Sequence, residues 1–349
     1  MRLKASAIEL GMRAFRTTAL HKAAAPFTRG RGALLMLHRV RPAPADSFLP
    51  NRGLEITPAF LDAALAHIRR SFDLVTLDEA LQRLASPAPG RPFAVVTFDD
   101  GYRDNVAFAL PILERHEAPF IVYAVPGFAD RSAGMWWVEL EEAIRRLDRV
   151  RIEAGGRLVD MSARTPQEKQ AAFEALYWSL RPGPEAELRR VCAALAQMAG
   201  LEAPALVDEL CLDWDGIRRL AAHPLATIGA HTLTHPMLAR HDPGFCRREI
   251  VESGAVIARE IGKAVRHFAY PVGDASAAGA REFAMARDAG FASAVTTRPG
   301  MLFPEHGAHL HALPRVSING TQQSLDSLDV LLSGAPFMLW NRGRRLSVA

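Results

Sequence analysis

The sequence predicts an α/β protein built on parallel strands. Short apolar runs alternate with longer amphipathic segments, which is the pattern of repeated strand–helix units. The runs are rich in β-branched and aromatic residues, as is typical of strands that are buried on both faces. Several runs end directly in Asp, His or Tyr, and polar residues at the carboxyl ends of parallel strands indicate an active site.

The stretch 93–105, FAVVTFDDGYRDN, is the most informative part of the chain. Its first six residues predict a buried strand, and Gly101 permits the turn that follows. Asp99 and Asp100 place two carboxylates where the strand leaves its sheet, which is costly unless a cation or a reaction uses them. Alternatively they cap the next helix, which we expect to begin near Asp104, although one Asp suffices for a cap.

The other elements follow in chain order. Before this stretch we predict strands at 33–37 and 74–76, a helix that starts with Pro58 after the capping residue Thr57, and a helix at 77–85. After it we predict strands at 120–125, 225–230, 265–270, 292–297 and 312–318, and helices at 213–223, 243–262, 278–289 and 323–333. Strand and helix thus alternate on both sides of the central stretch.

The predicted domain organisation has three parts: a basic, weakly amphipathic helix in residues 1–30, the α/β domain in residues 31–320, and a C-terminal helix with a basic tail in residues 321–349. Between about 134 and 212 the alternation pauses. Three helical segments and a two-stranded piece there predict an insertion within the same domain. The N-terminal helix either packs on the domain or contacts an anionic membrane weakly, and the sequence leaves the same two options for the tail.

Composition excludes several classes of protein. The net charge of +4 is small and no nucleic-acid-binding motif is present, so we expect no nucleic-acid partner. The cysteines are scattered, which predicts free buried thiols and a reducing compartment. Glu9 interrupts any secretory signal and no 18-residue apolar run exists, so we expect a cytoplasmic location. The oligomeric state stays open.

His231 and His235 are four residues apart, a spacing that places both rings on one face of a helix in zinc proteases. Here Thr232 occupies the position of the protease glutamate, and Pro236 disfavours helical geometry at His235, so a turn at a strand end is the better interpretation. Two histidines and one carboxylate form a metal site with open positions, which is the arrangement of a catalytic metal. Other apolar runs also end in polar groups, at His38, Tyr270-Pro271 and Thr296-Thr297.

The motifs TFDDGYRDN, HTLTHP and FAYPVGD, in this order, resemble those of the polysaccharide deacetylases of the NodB-homology class, carbohydrate esterase family 4. The resemblance extends over about residues 34–318. It implies a distorted (β/α)7 barrel with a helical insertion and metal-dependent removal of acetyl groups from N-acetylated amino sugars of a polysaccharide or oligosaccharide. It also implies a general base, Asp99, and three ligands of a divalent ion, usually Zn²⁺: Asp100, His231 and His235.

The reaction needs further groups. The turn Tyr270-Pro271-Val272 is a candidate for substrate contact, with the Val272 N–H supporting the oxyanion. Many family members carry an Arg in the third motif that steadies the base, but here Ala269 stands there, and Arg315 is the candidate replacement.

The proton donor to the leaving amine is less clear, because the usual C-terminal Leu-His is not evident. His38 is a candidate, and His309 and His311 are weaker ones; structural roles are the alternative for all three. Trp136 and Trp137 either line a sugar groove or pack in the core.

Two other functions compete with N-deacetylation. The first is hydrolysis of O-acetyl esters or of another amide on the same fold. The second is a non-catalytic carbohydrate-binding module. The presence of Asp99 and of both motif histidines argues against the second alternative.

Overall fold

The computed structural model describes residue 11, residues 15–88 and residues 90–348. Up to residue 14, the predicted N-terminal helix therefore lies outside the described residues, apart from residue 11. Beyond that point a helix, α1, spans Leu20–Thr28 and leads into the first strand.

Seven parallel strands close into a barrel, as the resemblance implied. Around the ring they are β1 (Gly32–Leu37), β12 (Leu313–Ser317), β11 (Ser293–Pro299), β10 (His267–Ala269), β9 (Ala226–Ala230), β6 (Phe120–Ala124) and β5 (Phe93–Phe98), numbered in chain order. Pairing of β5 with β1 closes the ring. Three short strands lie outside it: β2 (Arg39–Val40) pairs with β3 (Glu55–Ile56), and β4 (Asp73–Leu74) pairs with β5.

Side chains alternate between the two faces of each barrel strand, because successive residues of a strand point to opposite sides. In β5, Ala94, Val96 and Phe98 belong to the apolar layer under the helices, whereas Phe93 and Val95 pack inside the barrel. This alternation directs Asp99, two residues beyond Thr97, towards the barrel interior. The same rule applies to β12, where Leu313 is an interior residue and Arg315 follows two positions later.

Helices cover the outside of the barrel, and most lie where the sequence predicts them: α2 (Pro58–Ile68), α3 (Leu77–Ala85), α4 (Leu110–Arg115), α10 (Trp214–Ala222), α11 (Pro243–Ile261), α12 (Ala280–Asp288) and α13 (Leu325–Leu332). The four-residue helix α5 (Pro126–Ala129) was not predicted. A short helix that was not predicted, α14 (Ala335–Trp340), follows α13. Side chains cap several amino ends; Thr57, for example, accepts the Phe60 N–H at 3.2 Å. A π-helical turn, Asn105–Ala109, precedes α4.

The insertion packs against the barrel with an apolar core of its own. It contains α6 (Trp136–Arg146), the hairpin β7 (Arg149–Ala154) and β8 (Arg157–Ser162), α7 (Pro166–Leu180), α8 (Glu185–Met198) and the unpredicted α9 (Ala203–Leu210). Gly155 and Gly156 turn the hairpin with φ of 59° and 73°, values that favour glycine. The chain's three cysteines are buried and unpaired, as predicted.

Within the described part of the chain, no single helix has the length and hydrophobicity needed to cross a membrane. Among the described residues, only α8 and α9 taken together have this length and hydrophobicity, and the chain bends by 95° between them.

Candidate active site

A cleft of about 300 Å³ opens at the carboxyl ends of the barrel strands. The barrel side contributes the polar residues of the sequence motifs, and the insertion forms the opposite wall. The predicted residues Asp99, Asp100, His231, His235 and His38 all line this cleft. The structure therefore brings together segments more than 130 residues apart in the sequence, because parallel strands present their carboxyl ends on one face.

Asp100, His231 and His235 form a compact buried cluster. The Oδ1 atom of Asp100 lies 3.5 Å from Nε2 of His231 and 3.3 Å from Nε2 of His235, and one potential ligand atom from each residue lies within 4.8 Å of the others. Among the described residues, Asp100 Oδ1 has no hydrogen-bond partner. A buried carboxylate oxygen that faces two imidazole nitrogens without a hydrogen bond fits a divalent cation.

The protonation of the cluster suits a metal. Burial alone would raise the pKa of Asp100, but the His231 and His235 rings that face it hold this pKa well below its usual range, so the carboxylate is ionised. Burial lowers the pKa of His235, which favours its neutral, ligating form. His231 Nδ1 lies 2.7 Å from the carbonyl oxygen of Ala269. Because a carbonyl only accepts, this nitrogen carries the proton and Nε2 presents its lone pair to the cluster.

The loop of the second motif is held from several sides. The Thr232 hydroxyl accepts the His235 N–H at 3.0 Å, and the rings of Trp137 and Phe128 contact the His235 imidazole at centroid distances of 4.7 and 5.8 Å. The buried Glu249 of α11 accepts the backbone N–H groups of residues 233 and 234 at 2.8 and 2.9 Å. Sequence reasoning missed Glu249. Its signal is a carboxylate on the buried stripe of an amphipathic helix, beside Ile250.

Asp99 and Arg315 form a bidentate ion pair inside the barrel. The two terminal nitrogens of Arg315 donate to the two carboxylate oxygens, each at 2.7 Å, and Nε donates to the Thr296 carbonyl at 2.8 Å. Burial acts to raise the pKa of Asp99, but the Arg315 guanidinium outweighs it and keeps the pKa below its ordinary value. Arg315 thus provides the cation that the third motif lacks at Ala269, on a different strand.

His38 lies at the end of β1 with Nε2 3.8 Å from Asp99 Oδ2, and its side chain is 18% exposed. The last residues of the first motif fix its position, a function that the sequence did not reveal. Asn105 donates to the His38 carbonyl at 2.8 Å, and Asp104 accepts the Val40 N–H at 3.0 Å. The motif therefore supplies both reactive carboxylates and the groups that hold the neighbouring strand end.

The three residues of the turn 270–272 differ in their position relative to the cleft. Tyr270 is buried, its hydroxyl donates to the His311 carbonyl, and it does not line the cleft, so the predicted substrate contact of this side chain is wrong. Val272 does line the cleft, and its N–H has no acceptor among the described residues. Pro271 accepts the Gly273 N–H and shapes the turn between them.

Unusual backbone conformations cluster around the cleft. Asp100, Thr232, His235 and Val272 have φ of 72°, 62°, 59° and 61°, a region that side chains other than glycine rarely adopt. Such residues cost about 1–3 kcal/mol each and persist where the surrounding structure enforces them. The strain coincides with the predicted functional positions.

His309 and His311 are excluded as proton donors. Both precede the amino end of β12, whereas the cleft lies at the carboxyl ends of the strands. His311 Nε2 instead lies 2.7 Å from the Phe291 carbonyl oxygen. His38 is the remaining histidine candidate for this role from the sequence.

The insertion provides an aromatic wall, comprising Trp136, Trp137 and Tyr177, with Arg181 beside it. Trp136 contacts Tyr177 at a centroid distance of 5.6 Å, and Trp137 donates to the Tyr102 hydroxyl at 3.2 Å. The two tryptophans are only 4% and 6% exposed, so they pack in the core of the insertion and also line the cleft.

The fold and the site together define a class, a parallel (β/α)7-barrel hydrolase with a buried Asp-His-His cluster beside a second carboxylate. The sequence model of the polysaccharide deacetylase family matches residues 87–292, more than half of the chain. The chain belongs to this family, whose members hydrolyse amide bonds of acetylated sugars. No curated protein sequence matches the chain.

Solved structures with similar folds include deacetylases. The deacetylase PplD of Streptococcus pyogenes, solved with acetate, is 15% identical with a TM-score of 0.53 over 86% of this chain and 97% of its own. IcaB of Ammonifex degensii is 16% identical with a TM-score of 0.52, over 86% and 98%. A polysaccharide deacetylase of Bacillus cereus is 15% identical with a TM-score of 0.54, over 86% and 68%. At these identities the likeness supports the fold.

Proposed function

We propose that this protein is a metal-dependent deacetylase that removes acetyl groups from N-acetylated amino sugars of a polysaccharide or oligosaccharide. The observation that carries the proposal is the juxtaposition of two differently held carboxylates in one cleft. Asp99 is paired with Arg315, whereas Asp100 faces two histidines and has no hydrogen bond at Oδ1. The two adjacent carboxylates therefore suit different roles, Asp99 as the base and Asp100 as a ligand of the cation.

Asp100, His231 and His235 are the residues that would hold a divalent cation, and their nitrogen and oxygen donors suit Zn²⁺. When bound, such a cation polarises the acetyl carbonyl and lowers the pKa of water. The carbonyl contact from Ala269 to His231 and the packing of Trp137 on His235 orient both rings.

Asp99 accepts the proton of the attacking water. Its pairing with Arg315 keeps it ionised at neutral pH, which a proton acceptor requires. The same pairing weakens it as a base, which suits a water whose pKa a cation held by Asp100, His231 and His235 would lower. The bidentate contact also fixes the carboxylate plane, so that only a small movement is needed when the proton arrives.

Two further groups complete the reaction. Val272 lines the cleft, and its N–H, which has no acceptor in the described structure, donates to the oxygen that becomes negative as water attacks. His38 lies beside Asp99 and protonates the leaving amine. The aromatic wall and Arg181 then position the sugar, because aromatic faces pack on pyranose rings and a guanidinium donates to hydroxyl and acetyl oxygens.

Acetate release from a panel of N-acetylated and O-acetylated oligosaccharides tests this function. We expect release from N-acetylated substrates, loss of activity on chelation and recovery with Zn²⁺. Asp99→Asn retains the metal but loses about 10²–10⁴-fold in rate, because the amide cannot accept the proton. Release from O-acetylated substrates alone would identify an esterase, and binding without release would identify a carbohydrate-binding module.

A further inference from the structure

A second surface, outside the cleft, has an unusual charge. It comprises α1 with its flanks, residues 15–31, and α14 with the segment that follows it, residues 334–348. Together these two segments contain seven Lys and Arg residues and no Asp or Glu. The whole chain has a net charge of +4, so its remaining residues carry a net charge of −3. The positive charge is therefore concentrated here, and we call this surface the basic face.

The two segments form one surface. The Thr28 hydroxyl at the end of α1 donates to the Ser333 carbonyl at 2.6 Å, immediately before α14. Gly334 has a φ of 76°, and a Cβ atom there would overlap the Thr28 carbonyl oxygen, so only glycine permits this close approach. Apolar and basic side chains of the two helices are thus presented side by side.

The basic face also exposes large apolar side chains. Leu20 and Phe27 are seven residues apart on α1, hence on the same side of the helix, and are 61% and 74% exposed. On α14, Leu339 is 67% exposed and Trp340 37%. Scattered single residues of this kind are ordinary, but four on two contacting helices within a region lacking acidic residues are not.

Several cations of the basic face have no carboxylate partner. Arg345 pairs with Glu305, but no carboxylate in the described residues contacts Lys22, Arg342 or Arg344. A cavity of about 330 Å³ lies beside Trp340 and is bordered by Arg342 and Arg344. An aromatic ring next to two unpaired guanidinium groups suits a phosphate headgroup with adjoining acyl chain.

We propose that the basic face docks on anionic phospholipid bilayers, with the exposed apolar side chains entering the interface and the cations binding lipid phosphates. Apolar insertion and electrostatic attraction both contribute to such binding, and neither is strong alone. This proposal is independent of the deacetylase chemistry, because no residue of the basic face lines the cleft.

Vesicle flotation of the full chain tests the proposal. The wild type binds vesicles of phosphatidylcholine mixed with phosphatidylglycerol, binds phosphatidylcholine vesicles far less, and dissociates as salt is raised. Arg342→Gln/Arg344→Gln weakens binding to the anionic vesicles about 30-fold, since each surface Arg contributes on the order of a factor of five. Phe27→Ser/Leu339→Ser weakens it about tenfold or more through lost insertion.

Matched controls come from the hairpin of the insertion. Leu158→Ser, at a position also 61% exposed, and Arg151→Gln/Arg157→Gln bind vesicles as the wild type does. Acetate release in solution is unchanged in all these variants. Equal binding to both vesicle types, or wild-type binding by the Arg342/Arg344 variant, overturns the proposal. A dimer in the absence of lipid, seen by sedimentation velocity and dissociated by Leu339→Ser, also overturns the proposal. In that case a second copy of the chain covers the basic face.

Discussion

The two walls of the cleft are built on different principles. The barrel wall holds its reactive groups by buried polar bonds between strands, such as the ion pair of Asp99 and Arg315 with both side chains almost inaccessible. The insertion wall presents aromatic rings from two helices, and its polar member, Arg181, donates to Asp274 of the barrel side at 3.3 Å. The difference indicates that the barrel wall determines the reaction and the insertion wall selects and positions the sugar.

The largest effect is expected from removing a ligand on the barrel wall. His235→Ala leaves two of three donors, so Zn²⁺ content falls and acetate release is abolished. Elemental analysis after dialysis measures the Zn²⁺ content, and an acetate assay measures the activity. His223→Ala, which loses contacts to Glu114 and to the Leu225 N–H outside the cleft, retains both. Normal metal content in His235→Ala would contradict the ligand assignment.

A second variant on the barrel wall tests whether the positive charge of Arg315 sets the ionisation of Asp99. Arg315→Gln leaves the buried Asp99 without its cation, which costs about 3–5 kcal/mol of folding stability in urea unfolding. The burial that raises the pKa of Asp99 then loses its largest opposing contribution, so the carboxylate becomes protonated at higher pH than in the wild type. The acid limb of kcat/KM consequently moves to higher pH.

The double variant Asp99→Asn/Arg315→Gln is the control for this change. It removes the unpaired charge, so it recovers stability relative to Arg315→Gln but recovers no activity. An acid limb at the wild-type pH in Arg315→Gln would mean that Arg315 does not set the ionisation of Asp99.

Glu249 supports the barrel wall from outside the cleft. Glu249→Gln weakens its contacts to residues 233 and 234, so the loop between the two histidines loosens and metal affinity falls about 10–100-fold. Competition with a chromogenic chelator measures this affinity. Glu252→Gln on the exposed side of the same helix is the matched control and leaves affinity unchanged. Unaltered affinity in Glu249→Gln would restrict Glu249 to packing.

The smallest effect is expected on the insertion wall. Tyr177→Ala removes a ring that lines the cleft, so KM rises about fivefold while kcat stays near the wild-type value. The neighbouring Trp178 is 47% exposed and does not line the cleft, so Trp178→Ala retains the wild-type KM. A fall in kcat with constant KM in Tyr177→Ala would remove the proposed division of labour between the walls.

The same division explains what the sequence could predict. Asp99, Asp100 and the two histidines directly follow apolar strands, and parallel strands bring such residues to one face, so their convergence was predictable. Arg315 could also be placed inside the barrel, because it is two positions after an interior residue. Tyr270 also follows a strand end, but it lies two positions after Phe268 of the outer apolar layer, so its ring turns into that layer and not into the cleft.

The insertion wall could not be predicted in this way. Its helices were recognised from their periodicity, but which helix faces the cleft depends on tertiary packing without a repeating pattern. Arg181 and Glu185 follow the end of α7 and begin α8, where a sequence signals only a helix boundary. In the structure Glu185 accepts the Met237 N–H at 2.7 Å and so links the insertion to the histidine loop.

The first barrel strand, β1, sets the distance between the end of α1 and the cleft. The basic face adjoins the amino end of β1, and the cleft opens at its carboxyl end, six residues away. At roughly 3.3 Å per residue, the end of α1 and the cleft are separated by about 20 Å along this strand. If the protein docks through α1 as proposed, deacetylation would take place well above the lipid phosphates, and the sugar nearest the bilayer would stay out of reach.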